Sequence, residues 1–416
     1  MISERGFAVE VVRRLRSAGH EALFAGGCVR DELLGRPPKD FDVATAAPPE
    51  RVRSVFQRTI AVGAAFGVIE VLGPRTSAGH IRVQVATFRS DGAYTDGRHP
   101  DAVTYGSARE DALRRDFTIN GMFYDPITEE VIDYVGGRTD LNARILRAIG
   151  SATERFGEDR LRLLRAPRFA ARFNLTIEPH TATAVRTHAA ALTAVSPERI
   201  ADELRKLLTD PTRVTGLRLL DDLGLVPPAL PEIAAFVGTP TWAERLRVLG
   251  ALPAGVRFPL ALAGVLAPVG AAAALACAER LKLSNAERDR TAWLIEHLPN
   301  LRVPQSLPLH QIKPTLAHPA SDDLLALLRA HAHALGQPTS AVDWCVAMLA
   351  QWQQAGTLNP PPLLSGHDLQ ARGLPAGPHY KIILQRVRCA QLDGQVTTRT
   401  EAHELVAQLL DEVRPA

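Results

Sequence analysis

Two aspartates separated by a single phenylalanine, Asp40 and Asp42 in "KDFDVAT", pose the first chemical question. A strand interior normally avoids aspartate, because an unpaired carboxylate is costly to take out of water. In an extended strand, residues two apart point to the same face. Two carboxylates crowded on one face call for a cation between them, and a divalent metal supplies it. Just upstream, "AGGCVRDELLG" places Gly26 and Gly27 where a strand turns into a helix, so backbone amides can approach an anion. Arg30, one turn into that helix, adds a guanidinium suited to phosphate. A Gly-Gly turn alone is weak evidence. Beside a metal-binding carboxylate pair it becomes a phosphate cradle of the kind that phosphoryl transfer uses.

Two further clusters carry chemistry. In "EDRLRLLRAPRFAARF" Asp159, Arg162 and Arg165 recur every three residues, which on a helix sets neighbours side by side. Arg168 falls toward the edge of that face, past a kink expected at Pro167. In "RRDFTINGM", Arg115, Asp116 and Asn120 sit at a predicted corner between helix and strand. Between Arg138 and Arg172 the chain holds nine arginines against Asp140, Glu154, Glu158 and Asp159. Arginine suits bidentate contacts to phosphates and bases.

The elements that must position these residues follow from periodicity. Residues 1–20 predict a helix with Phe7, Val9, Val11, Val12 and Leu15 on its apolar positions. "EALFAGG" predicts a strand, "CVRDELLG" a helix closed by Gly35, and "DFDVAT" the next strand. A helix opens at "APPERVRSVF", and "FGVIEVLG" with "HIRVQVATFR" predicts an antiparallel hairpin. "SDGAYTDGRHPDAVTYGS" is a polar loop. Beyond Leu141 the pattern is helical, with Ser196 expected to cap a helix that opens at Pro197. The expected class is α+β: a small α/β block followed by helices.

At 416 residues the chain is too long for one ordinary domain. With 46% hydrophobic and 22% charged residues it has a globular composition, and its net charge of +3 alone says nothing of nucleic acid. No run is expected to cross a membrane, since Leu260–Ala278 is broken by Gly264, Pro268 and Gly270. The amphipathic N-terminus is no secretory signal, and four dispersed cysteines predict a reduced, cytoplasmic protein.

"GGCVRDELLGRPPKDFDVAT" resembles the signature of the class II tRNA nucleotidyltransferase and bacterial poly(A) polymerase family. "RRDFTINGM", "GGRTDLNARILRAIG", "EDRLRLLRAPRFAARF" and "SPERIADELRKLL" are similar to its further motifs, in family order, over roughly the first half of the chain. The resemblance implies a polymerase-β-like head with a mixed sheet at 1–140, then an all-α neck at 141–210, body at 211–358 and tail at 359–416. It implies an enzyme that extends the 3′ end of tRNA with C and A from CTP and ATP, with Mg²⁺ on Asp40 and Asp42 and the acceptor and T arms of tRNA gripped by the helical domains.

The same resemblance assigns base recognition to Asp159 and Arg162, and the chemistry agrees. Cytosine and adenine each present an amine donor beside a ring-nitrogen acceptor, whereas uracil and guanine reverse that order. Arg165 and Arg168 would reach the triphosphate, and Arg115 the triphosphate or sugar. Family members often carry a glutamate where this chain has Gln84. That departure is the support for a catalytically silent RNA-binding scaffold as the alternative. Poly(A) polymerases of the family show a basic "GRRF"-like stretch where this chain reads "VGAAFGV". The polar loop at 90–107 favours complete CCA or terminal A addition over addition of CC alone.

Overall fold

The computed structural model describes residues 3–63, 67–77, 79–92, 103–374 and 377–413. The chain divides into two units, Met1–Pro231 and Glu232–Ala416.

The first unit opens with α1 (Glu4–Ser17), whose Phe7, Val11, Val12 and Leu15 are buried. β1 (Ala22–Ala25) runs into α2 (Gly27–Leu33), and β2 (Asp42–Thr45) leads to α3 (Pro49–Val55). β3 (Thr59–Gly63), β4 (Val68–Thr76) and β5 (Gly79–Thr87) follow, then the short arms β6 (Arg89–Asp91) and β7 (Val103–Tyr105) and helix α4 (Ala108–Leu113). A 3₁₀ turn at Thr118–Asn120 precedes β8 (Phe123–Asp125) and β9 (Glu130–Ile132). The seven-stranded sheet has the order β3-β4-β5-β2-β1-β8-β9. β2 and β5 are parallel and the other neighbours antiparallel, so the sheet is mixed as expected.

Register sets which side chains share a face. Phe24 lies opposite Val43, and Val43 opposite Val85 and Ile69 in turn, on a face where α1 packs against β1, β2 and β5. The other face carries Leu23, Ala25, Ala44, Phe88 and Phe123, which form a core with Ala108 and Ala112 of α4. At the end of β2 beyond α4, Asp42 pairs with Gln84, and Gln84 with Glu70. The two sheet faces are thus closed by helices, while Asp42 and Gln84 stay exposed at the head of this row and Glu70 is buried.

Three sequence expectations change here. The strand starts at Asp42, so Asp40 stands on the bend before it and the pair does not share a strand face. β3 is an additional strand, pairing antiparallel with β4. The flanks of the polar loop pair as β6 and β7, while 93–102 lie outside the described residues, as do 64–66 of the "GAAF" stretch.

Helices then dominate: α5 (Gly137–Asn142), α6 (Ala152–Glu158), α7 (Arg162–Phe173), α8 (Pro179–His188), α9 (Pro197–Leu208), α10 (Arg213–Asp222) and α11 (Val226–Ala229). Between them β10 (Ile145–Leu146) and β11 (Thr176–Ile177) form a two-residue parallel pair that ties the approach of α6 to the end of α7. α7 packs against α9 and α10. Ser196 stands at the N-cap of α9 as expected, without a side-chain bond to the helix.

The second unit is helical from α12 (Pro240–Ala251) through α13 (Phe258–Leu266), α14 (Gly270–Arg280), α15 (Asn285–His297), α16 (Leu309–Ala317), α17 (Ser321–Ala334) and α18 (Ser340–Gln354) to α19 (Gly366–Ala371), α20 (His379–Leu392) and α21 (Arg399–Val413). Contrary to expectation, the stretch Phe258–Arg280 is long and apolar enough to cross a membrane, with a mean hydropathy of 2.1. It is two helices, broken at Ala267–Val269 and at Gly270 with φ +79°, and every residue of α13 is buried where it packs against α12, α15 and α17. Its apolar character serves this core. The last helices close a separate cluster around Leu369, Ile383, Val387 and Val406.

Candidate active site

A cavity of about 720 Å³ opens in the first unit, and all twelve residues singled out in the sequence line it. It gathers the β1–α2 turn, the bend before β2, the end of α4, the 3₁₀ turn, α7 from Arg162 to Arg172 and Lys206 of α9. Eight cationic side chains and four carboxylates stand around it. That excess suits a highly anionic ligand.

The turn at Gly26 needs glycine twice over. Its φ is +70°, and a Cβ there would stand 2.8 Å from Nη1 of Arg115. Gly26 N–H donates to the Met122 carbonyl, which fixes the turn against β8. Arg115 is held from the other side by Asp111, donating to it from Nε and Nη2 at 3.1 and 2.7 Å, and its Nη1 donates to the Asn120 carbonyl. Asp111 also takes Arg114 at 2.5 Å, so one buried carboxylate orients two adjacent arginines.

Asp116 lies at the centre of a buried network. Its Oδ2 accepts from Arg165 at 2.8 and 2.7 Å, and its Oδ1 accepts from the Phe117 amide and from Asn120 Nδ2. Burial pushes its pKa up, but Arg165, the Asn120 bond and Arg162 outweigh that and hold it below the ordinary carboxylate range. Asn120 Oδ1 accepts in turn from Arg30 Nη1 at 2.6 Å. Arg30 also donates to Asp31 and lies over the Phe173 ring at 4.0 Å, so it is buried and spoken for inside the protein. Burial lowers its pKa.

The arginines of α7 stand around two stacked rings, Phe169 and Phe173, with centroids 6.0 Å apart. Arg165 and Arg168 lie over Phe169 at 5.1 and 4.2 Å. Such contacts offset part of the cost of desolvating a guanidinium. Arg168 is further held by Glu203 of α9, which accepts from its Nε at 2.5 Å. Glu203 is buried, which raises its pKa, but Arg168, Arg165 and Lys206 together pull it below the ordinary value.

Asp159 is not on the helix that the spacing predicted. It lies between α6 and α7 with φ −133° and ψ +102°, and α7 begins at Arg162. The cause is local: Asp159 Oδ1 accepts from the Leu161 amide, a turn that competes with helix. Its Oδ2 pairs with Arg199 at 3.0 Å. Arg162 donates to Glu158, to the Arg155 carbonyl and to the Arg114 carbonyl. Asp159 and Arg162 therefore share the cavity without a side-chain bond between them, though the Arg162 amide donates to the Asp159 carbonyl at 3.0 Å, and α7 runs on through Pro167.

Sequence reasoning missed Asp111, Glu203 and Arg199. Asp111 had a visible signal, since it precedes Arg114 and Arg115 by three and four residues. Glu203 and Arg199 lie 35 and 40 residues from their partners, beyond any local pattern.

Asp40 and Asp42 differ from the other carboxylates of the cavity. Among the described residues neither takes part in an ion pair or a side-chain hydrogen bond. Both are exposed at the mouth, yet protein surrounds Asp42 closely enough that loss of water raises its pKa; Arg115 lowers it and the negative charge of Asp40 raises it again. Two uncompensated carboxylates that repel each other fit a divalent cation. Gln84, in register with Asp42, offers an amide oxygen but no charge. Among the described residues no group of three or more acidic, His or Cys side chains converges.

A mixed sheet that presents such a pair at an arginine-lined cavity defines a nucleotidyltransferase head, and the family comparison agrees: residues 22–147 match the poly A polymerase head domain, and 174–237 match the probable RNA and SrmB-binding site of polymerase A. Over the whole chain the likeness is narrower in kind. The CCA-adding enzyme of Lactobacillus gasseri is 32% identical over 399 residues, 95% of each chain. That of Lactococcus lactis subsp. cremoris is 44% identical over 214 residues, 51% of this chain and 52% of its own. The crystal structure of the Bacillus stearothermophilus CCA-adding enzyme in complex with CTP superposes with a TM-score of 0.80 over 99% of both chains, at 29% identity. This chain belongs to the CCA-adding enzyme family.

Proposed function

We propose that this protein adds C, C and A to the 3′ end of tRNA without a nucleic-acid template, taking CTP and ATP and releasing pyrophosphate. The observation that carries the reading is the meeting of Asp40 and Asp42 with Asp159 and Arg162 in one cationic cavity. The RNA 3′-hydroxyl attacks the α-phosphate; an O–P bond forms, and the bond to the β-phosphate oxygen breaks. Asp40 and Asp42 would hold the metal, Mg²⁺ in this reading, which supplies activation of the hydroxyl and charge compensation at the leaving pyrophosphate. Arg165 and Arg168 balance the triphosphate, and Arg115 lies where it can reach triphosphate or sugar. Arg30, Asp116 and Asn120 keep that constellation in place, and Gly26 and Gly27 admit the ligand close to the backbone. Asp159 accepts from the exocyclic amine of cytosine or adenine while Arg162 donates to the ring nitrogen. Uracil and guanine leave both groups facing like partners.

We assign the head to 1–140, the neck to 141–210, and tRNA binding to the body at 211–358 and the tail at 359–416, by shape and phosphate contact. Four free cysteines suit action in the cytoplasm. The test uses transcripts ending before CCA, after C and after CC, each with CTP, ATP or both. Growth by three residues and then a stop supports the reading. Extension of only the CC-ending RNA by one A would make it an A-adding enzyme, long adenosine ladders a poly(A) polymerase, and no incorporation a scaffold.

A further inference from the structure

The C-terminal end of α7 collects three exposed arginines from distant parts of the chain. Arg36, on the segment after α2, donates to the Arg172 carbonyl at 3.2 Å. Arg144, just before β10, donates to the Phe173 carbonyl at 3.4 Å. Arg172 itself is 44% exposed and reaches Asp210 only at 4.0 Å. Carbonyls at a helix end attract cations, which accounts for one donor of each visiting guanidinium. Arg36 also lies over the Phe173 ring at 5.5 Å, and the remaining guanidinium donors of Arg36 and Arg144 make no other hydrogen bond among the described residues. Among the described residues neither Arg36 nor Arg144 has a carboxylate partner.

A second observation makes this more than a cap. Arg144 has φ +58°, in the left-handed region that glycine or asparagine occupies at lower cost. Asn174, which ends α7 in the same conformation, is the residue type expected there. A strained arginine is kept where the backbone alone would favour glycine, and its charge is the property glycine lacks. Arg172 also lines the cavity, so the cluster continues the cationic lining outward.

We infer that Arg36, Arg144 and Arg172 form a docking surface for backbone phosphates of the RNA whose 3′ end enters the cavity. This rests on the proposed function. Nucleotide selection does not involve Arg36 or Arg144, since neither lines the cavity.

The test compares the full-length wild type with Arg36→Ala, Arg144→Gly and the double variant, using a tRNA transcript lacking CCA at several KCl concentrations. Affinity of the double variant should fall on the order of tenfold or more near 0.1 M salt, and the slope of log K against log salt should shrink by about 1.4–1.8 for two lost phosphate contacts. The KM for CTP and kcat at saturating RNA should stay within about twofold, an expectation that follows from both residues lying outside the cavity. Arg144→Gly should melt at or above the wild-type temperature, because glycine relieves the strained φ. An unchanged RNA affinity and salt slope would overturn the inference, as would a rise in the KM for CTP equal to that for RNA. Binding needs no turnover. A wild type that extends no RNA, yet binds it with a salt slope these variants reduce, would remove the proposed function and keep the surface.

Discussion

Replacing Glu203 by glutamine tests how the cavity keeps its arginines in place. Glu203 is 2% exposed and Arg168 6%, and they meet at 2.5 Å. Glutamine keeps the shape and removes the charge, leaving Arg168 as a buried cation in a cavity already rich in arginine. Breaking one side of a buried pair costs about 3–5 kcal/mol. The bond from Lys206 adds little, because that side chain is 57% exposed. For a folding unit of this size, 231 residues, each kcal/mol moves the melting temperature by about 2–4 °C, so the first unit should melt roughly 6–20 °C lower. Calorimetry reads that shift, and a CTP titration in the extension assay reads the looser Arg168 as a higher KM. The double variant Arg168→Met, Glu203→Met should regain most of the stability, since an apolar pair replaces a buried ionic one at little cost, and should not regain nucleotide affinity. A Glu203→Gln protein melting within about 2 °C of wild type would refute the reasoning, because that corresponds to less than about 1 kcal/mol. So would strictly additive effects of Arg168→Met and Glu203→Met measured singly and together.

Asp42→Asn should abolish extension and, without metal, melt higher than wild type. The folded pKa of Asp42 lies above its ordinary value, so its charge destabilises the fold at neutral pH and ceases to do so once acid protonates it; calorimetry with and without Mg²⁺ should also show metal-dependent stabilisation lost in the variant. Gly26→Ala should lower activity at least tenfold at unchanged RNA affinity, since it strains a φ of +70° and pushes on Arg115; steady-state kinetics and filter binding check both. In the second unit, His331 is buried with Nε2 3.1 Å from Arg245 Nη1, and burial together with Arg245 and Arg302 pushes its pKa down to about 3. The unfolded chain takes up the proton first, so stability should fall as pH drops from 6.5 toward 3, by at most about 1.4 kcal/mol per pH unit. Glu244, 3.8 Å from Nδ1, faces the same ring. Urea melts at pH 7, 5.5 and 4.5 should show a shallower slope for His331→Gln, and equal slopes would discount the histidine.

What the sequence revealed, it revealed through residue chemistry. Gly26, Asp40, Asp42 and the α7 arginines stand out because their types are costly or unusual in that pattern. The strand before Gly26 and the helix that opens at Gly27 followed from periodicity. Failures came where a side chain overrode the local pattern. Asp159 fits a helical spacing, but its carboxylate captures the Leu161 amide and starts the helix three residues later. β3 lacks clean alternation and exists because β4 offers it an edge. Glu203 and Arg199 look like ordinary charges of an amphipathic helix until α9 is laid against α7.

On the proposed reading of base recognition, the partners of Asp159 and Arg162 have a consequence for fidelity. Before any nucleotide arrives, both are engaged: the carboxylate by Arg199 and the Leu161 amide, the guanidinium by Glu158 and two carbonyls. The protein thus carries a built-in competitor for the base. Cytosine or adenine returns one bond to each of the two groups. A uracil displaces the same bonds and returns none, leaving polar groups unsatisfied at about 1–3 kcal/mol each. Discrimination is therefore measured against an occupied reference, and the same competition makes even the correct nucleotide bind more weakly than its contacts alone would allow. Such a site trades tightness for refusal, which suits an enzyme that must let go of each pyrophosphate and admit the next nucleotide.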